Sequence, residues 1–311
     1  MLASMLNNHP EIVIPPETWW LSVACEMGVG QFPSRYLLRA FLLRIRRNFA
    51  NSGKNVWVDL IDDFSKKNAS FNGSYSELFE LFELFSEEAK WHFQTVLFGE
   101  KTPAHTTFMR ELNRSFPTHK KIILLRDPRD IVCSYFNAWF DKTDDSLYSI
   151  LMILKCYLLN ITYAIREIEP FLIKYEQLTS FPPAEMELLC THLALPFVED
   201  VMQLNPTTNP QEGHKNLNHP VFYNSKKYRK ELPSHYIAAI EAVLGDEMEV
   251  LGYRREIKLG KHTAFTDRYM SINEKASTQV RAATALKDSR NWQPSKKVRL
   301  KALAEKVVRR S

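Results

Sequence analysis

The sequence contains no G-x-x-x-x-G-K-[ST] run. Its Gly53-Lys54 and Gly260-Lys261 pairs stand in the wrong context, which argues against a nucleotide kinase built on that phosphate loop. Cysteine is sparse. Cys25, Cys133, Cys156 and Cys190 form no C-x-x-C and no metal-ligand spacing with histidine, so neither a zinc site nor a small disulfide scaffold is expected, and buried free thiols are. Nothing else in the sequence requires a metal. No stretch near Met1 joins a basic region, an apolar region and a small-residue cleavage site, so the expected location is cytoplasmic. No internal repeat is visible. The one long apolar run, Leu147–Ile165, carries Lys155 and Asn160, which favours a buried helix over a membrane span.

What is present is material for one sizeable core, or for a core plus an extension: 311 residues, 45% hydrophobic and 12% aromatic. The net charge of +5 belongs mainly to the end of the chain, where nine Lys and Arg residues from Lys287 to Arg310 face only Asp288 and Glu305. Residues 1–255 are therefore expected to form the domain, and residues 256–311 a basic extension, either a solvated helix or a disordered tail. That extension mildly favours an anionic glycan or acidic peptide as partner. No recognised nucleic-acid module accompanies it, so no specific nucleic-acid partner is expected.

Four segments have strand character: Asn55–Leu60, Thr95–Lys101, Lys121–Asp127 and Phe171–Leu178. Helical patterns cover Ser76–Trp91, Asp127–Phe140, Ala184–Leu195 and Ser234–Tyr253. Phe79, Phe82 and Phe85 recur at helical spacing beside leucines and read as core. Strands such as IILL alternating with helices predict an α/β fold, a three-layer domain with a parallel sheet.

The strongest local signal is KKIILLRDPRDIVCSYF, a strand ending at Arg126 followed by a helix opened by Asp127 and Pro128. An arginine at the carboxyl end of a parallel strand stands where open α/β sheets bind ligands, and its guanidinium can grip a phosphate. Ser134, two helical turns on, can face the same anion. The competing reading is a surface ion pair of Arg126 with Asp127, with Ser134 packed on the strand.

Strand, RDPRD, helix and serine at this spacing resemble the 3′-phosphate-binding element of the sulfotransferase superfamily. HPEIVIPPETWW (His9–Trp20) resembles the stretch after the donor loop that carries a glutamate in Golgi-type, tyrosylprotein and many bacterial members. GEKTPAH (Gly99–His105) resembles the lysine-bearing strand end of the heparan sulfate enzymes, and the segment from Ile173 to Phe197 resembles the later strand and helix. The resemblance runs from about Met1 to Tyr253. It implies a sulfotransferase fold related to the P-loop NTPases and a co-substrate, 3′-phosphoadenosine 5′-phosphosulfate, whose 3′-phosphate is held by Arg126 and Ser134.

The same resemblance places a donor lysine at Lys227, although Lys226, Arg229 and Lys230 stand beside it and a solvated basic turn is the alternative. It makes Glu17 the general base, with a helix-start role as the other reading, and His105 the second candidate. Lys101 would orient the acceptor or stabilise charge, or else form a structural salt bridge to Glu100 or another acid. Family members normally begin with a central strand and a loop that cradles the 5′-phosphosulfate. Met1 falls within the helix after that loop, so the expectation is a fold lacking its first central strand and an impaired enzyme. Either a fuller enzyme has lost its start, or a noncatalytic homologue serves in binding or scaffolding.

Overall fold

The computed structural model describes residues 1–21, 23, 35–68, 75–203, 225–257 and 264–288. They fall into two compact units, one of Met1–Lys120 with residues 181–203, the other of Lys121–Ser180 with residues 225–257 and 264–288. Cys25 and the basic end beyond residue 288 lie outside the described residues.

The first unit runs α1 (Leu2–Leu6), β1 (Ile12–Val13), α2 (Arg35–Asn51), α3 (Asn55–Lys67), α4 (Tyr75–Phe93), β2 (Leu97–Phe98) and α5 (Met109–Ser115). The two strands pair in parallel, Ile12 opposite Leu97 and Val13 opposite Phe98. Gly99 prolongs the contact, its N–H donating to the Val13 carbonyl at 2.9 Å. A Cβ at Gly99 would stand 2.9 Å from Ile14 Cγ1, so the close approach of the two chains requires glycine. Helices α2, α3 and α4 contribute Phe41, Phe49, Trp57, Phe64 and Phe85 to an aromatic-rich core. Phe79 and Phe85 are buried as their spacing predicts, and Phe82 stacks on Trp20 at 4.3 Å between centroids.

Asn55–Leu60 is a correction: it is the start of α3, not a strand. Trp57, Leu60, Ile61 and Phe64 are its buried side chains, the i, i+3, i+4, i+7 stripe of a helix. A six-residue window ending at Leu60 shows only the β-branched and aromatic run Val56, Trp57 and Val58 and misses Ile61 and Phe64.

The second unit contains β3 (Ile122–Leu125), α6 (Pro128–Ala138), α7 (Asp144–Glu167), β4 (Phe171–Lys174), α8 (Tyr175–Ser180), α9 (Ser234–Val250) and α10 (Ala264–Asp288). Strands β3 and β4 are parallel, and α6 and α7 lie on the long crossover that such a pair needs. The class is the expected α/β with parallel strands, its described pairing divided between two two-stranded ladders.

Helix α7 is long and apolar enough to cross a membrane by length and composition. Its Leu147, Ile150, Leu151, Leu154 and Leu158 belong to the core of the second unit. Lys155, in mid-helix, is 5% exposed. Its Nζ donates to Glu247 Oε2 at 2.6 Å and to the Val243 carbonyl at 2.9 Å, both on α9, so the buried charge is paired and hydrogen-bonded.

Past Arg255, where a solvated helix or tail was the expectation, α10 joins the same core. Tyr269, Ile272 and Ala276 are fully buried on it. They form a narrow stripe in a helix otherwise rich in polar residues, which dilutes the apolar signal. Ile272→Ala should therefore cost about 2–5 kcal/mol in urea denaturation. A solvated helix would give a change within about 0.5 kcal/mol.

Candidate active site

In the second unit, register decides the geometry. Leu125 lies opposite Lys174, so the next residues, Arg126 and Tyr175, leave the same carboxyl edge side by side. The Arg126 guanidinium carbon sits 4.3 Å from the centroid of the Tyr175 ring, and Arg126 Nη1 donates to Ser134 Oγ at 3.2 Å. Asp127 caps α6, accepting from the Arg129 N–H at 2.9 Å, and Pro128 occupies the first turn, where its missing N–H costs nothing. The Asp127 N–H donates to Glu176 Oε1 at 2.9 Å, which ties the turn after β3 to the helix after β4.

The alternative ion pair of Arg126 with Asp127 is replaced by another. Buried Arg129 donates to both Asp127 oxygens, at 2.9 and 2.7 Å, and to Glu241 Oε1 at 2.6 Å. Glu241 in turn accepts the Glu256 and Ile257 N–H groups at 3.0 and 2.9 Å. Asp130, fully buried, accepts the Lys226 N–H at 2.6 Å and the Tyr228 N–H at 3.1 Å. Burial pushes the Asp130 carboxyl above the usual aspartate range, and those two N–H groups pull against the shift. The turn carrying Lys227 is thus fastened to α6, the helix that bears Ser134. Of its basic neighbours, Arg229 is engaged by Glu256.

In the first unit, the chains leaving β1 and β2 bring Glu17 and Lys101 together as an ion pair. Lys101 pairs with Glu17 rather than with its neighbour Glu100. The Glu100 side chain is 13% exposed and accepts three bonds. Its Oε1 takes the Thr18 hydroxyl at 2.8 Å and the Thr102 hydroxyl at 2.6 Å; its Oε2 meets Nδ1 of buried His105 at 2.8 Å. The two hydroxyl oxygens themselves accept backbone donors, Trp20 N–H on Thr18 at 3.2 Å and Trp19 N–H on Thr102 at 3.3 Å. Trp19 is held at φ 57°, a left-handed conformation that is strained for a bulky residue.

Of the residues expected from the sequence, the structure brings Glu17 to Lys101 and Arg126 to Ser134, and fixes Lys227 through Asp130. The sequence reading missed Tyr175, Asp130 and the clamp centred on Glu100. Tyr175 was legible in principle, since two parallel strands of equal length place their following residues together. Among the described residues, no group of three or more His, Cys, Asp or Glu side chains could hold a metal ion. Burial pushes the thiol of Cys133 up to about 12 and that of Cys156 up to about 11, which makes both poor nucleophiles.

Burial raises the Glu100 carboxyl, but His105 and the two threonine hydroxyls outweigh it and hold the group below the usual glutamate range. A depressed folded value contributes stability that is present above the unfolded value, about pH 4.3, and is lost as pH falls through the folded one. Melting temperature measured from pH 6 to pH 3 should therefore fall less steeply in Glu100→Gln than in the wild type.

The family model described as the sulfotransferase family matches residues 1–200. No curated protein matches the chain. Among solved structures, a sulfotransferase domain from the curacin biosynthetic pathway is 18% identical with a TM-score of 0.47, over 89% of this chain and 92% of that one. A sulfotransferase domain from the Synechococcus PCC 7002 olefin synthase is 17% identical with a TM-score of 0.45, over 89% of each chain. Likenesses of that size carry no argument. The family match spans well over half of the sequence and includes Glu17, Lys101, Arg126 and Ser134; this chain belongs to the sulfotransferase family.

Proposed function

We propose that the protein transfers a sulfuryl group from 3′-phosphoadenosine 5′-phosphosulfate to an acceptor hydroxyl or amine. The observation that carries this reading is the Arg126–Ser134 pair at the carboxyl end of a parallel ladder, beside the N-terminus of α6. A guanidinium and a hydroxyl aimed together suit a phosphate monoester, and the Tyr175 ring under Arg126 fixes the guanidinium plane at little entropic cost. In this reading Arg126 and Ser134 bind the 3′-phosphate and Lys227 adds a further positive charge.

Glu17 takes the acceptor's proton as the new bond to sulfur forms. The bond from sulfur to the donor's bridging oxygen breaks, and adenosine 3′,5′-bisphosphate departs with the electron pair. Such transfers pass through loose transition states, in which positioned cationic groups supply most of the rate enhancement. Lys101 serves there, and its ion pair with Glu17 keeps the carboxylate aimed while the acceptor is absent. The basic end of the chain favours an anionic glycan or acidic peptide as acceptor.

Arg126→Ala should weaken calorimetrically measured binding of adenosine 3′,5′-bisphosphate by roughly 10- to 100-fold, the loss of one or two charge-assisted bonds. Binding of adenosine 5′-monophosphate should be little changed. Equal affinity of folded wild type and variant for the bisphosphate would refute the assignment.

Glu17→Gln should lower turnover of labelled donor, assayed over a panel of hydroxyl and amine acceptors, by about 10²- to 10⁴-fold with donor affinity nearly unchanged. Near-normal turnover would shift the base to His105 or to the acceptor. Nucleotide binding by the wild type with no transfer to any acceptor would favour a noncatalytic binding role.

A further inference from the structure

We infer that Glu100 is a positioning residue: its carboxylate holds the Glu17 and Lys101 segments in register with one another and fixes the proton on His105. The role assigned to the Glu17–Lys101 pair rests on the reading above; the clamp itself rests on geometry alone.

Among the described residues, little else joins the two segments. The β1–β2 ladder is two residues long and ends at Val13 and Phe98. Glu17 lies four residues beyond it and Lys101 three, so two short strands alone leave both side chains on unsupported chain. The Glu100 Oε1 atom closes that gap by accepting from Thr18, next to Glu17, and from Thr102, next to Lys101. One oxygen thereby links the two segments.

The linkage continues into the backbone. Each threonine hydroxyl spends its proton on Glu100 and offers a lone pair to the chain, Thr18 to the Trp20 N–H and Thr102 to the Trp19 N–H. The left-handed Trp19 is thus held by a polar relay that starts at one carboxylate. A strained residue of this kind persists only where its surroundings over-determine it. Asn48 adds a further tie, its side-chain amide donating to the Thr18 carbonyl at 2.9 Å. Trp20, buried beneath, packs edge-on to His105 at 5.9 Å and so joins the clamp to the aromatic core.

The other oxygen has a separate task. Because Oε2 is an acceptor, His105 must carry its proton on Nδ1 to bond it. His105 Nε2 is buried and, among the described residues, has no hydrogen-bond partner. Among the described residues, every hydrogen bond to Glu100 comes from a donor, so the site is built for the ionised form. The ionisable group in contact with Glu100, among the described residues, is His105.

The division of labour between the two oxygens makes the inference testable. Glu100→Ala removes both functions. Glu100→Gln keeps a carbonyl oxygen for the two threonines but presents an amide N–H₂ to His105, reversing the tautomer. Thr18→Val with Thr102→Val removes the staple and leaves the carboxylate on His105.

The readout independent of catalysis is the rate of acetylation of Lys101 by acetic anhydride, followed by mass spectrometry with the other lysines as internal standards. In folded Glu100→Ala and in the double valine variant, Lys101 should react several-fold faster than in the wild type, because its partner Glu17 is no longer held. In Glu100→Gln it should stay close to the wild-type rate. If transfer is measurable, Glu100→Ala and the double valine variant should lose about 10- to 100-fold in kcat, the scale of a misplacement near 1 Å, with KM for the donor within about twofold. Unchanged Lys101 reactivity in both would overturn the inference. A wild type without transfer would defeat the proposed activity, while the acetylation rates would still decide the clamp.

Discussion

Two parallel strands release both of their chains at the same edge, and each half of this molecule is built on that constraint. Where β3 and β4 end, it sets Arg126 on the ring of Tyr175. Where β1 and β2 end, it delivers Glu17 and Lys101 into an ion pair. The ladders are short, so they fix direction more than position. Position comes from polar groups just beyond the strands: Asp127 with Glu176 in one unit, Glu100 with its two threonines in the other.

Asp127 and the two threonines are buried and the Glu100 side chain nearly so, which changes what they contribute. Hydrogen bonds to charged groups contribute roughly 1.5–3 kcal/mol each, yet removing one member of a buried ionic set costs about 3–5 kcal/mol because its partners are left charged and dry. Arg129 stands between Asp127 and Glu241, and Glu241 also closes on the N–H groups of Glu256 and Ile257. The large penalty for breaking such a set, against its modest net contribution, makes it a device for holding one arrangement. It keeps the N-terminus of α6, and with it Ser134, at a set distance from Arg126.

Much of this was legible in the sequence. The strand, RDPRD and helix could be read because strand, cap and proline each carry a local signal and all three agree. The run Val56-Trp57-Val58 misled because β-branched and aromatic residues favour strands, and only Ile61 and Phe64 reveal the helical period. Tyr269, Ile272 and Ala276 were hidden because a stripe three residues wide scarcely shifts the average of a polar segment. Glu100 was hidden for a different reason. Beside Lys101 it reads as that lysine's partner, and nothing in spacing reveals that the lysine reaches instead for a carboxylate 84 residues away.

The pairing of Lys155 with Glu247 also has an order in time. The two are 92 residues apart, and α9 and α10, which cover the apolar face of α7, come after it in the chain. At synthesis rates of about 5–20 residues per second, roughly 5–20 seconds pass between the appearance of the lysine and that of its carboxylate. During that interval the apolar stretch Leu147–Ile165, whose one charge is Lys155, lacks the helices that later cover it. The lysine, costly once buried, then makes the nascent segment less apolar and less suited to insertion in a lipid bilayer.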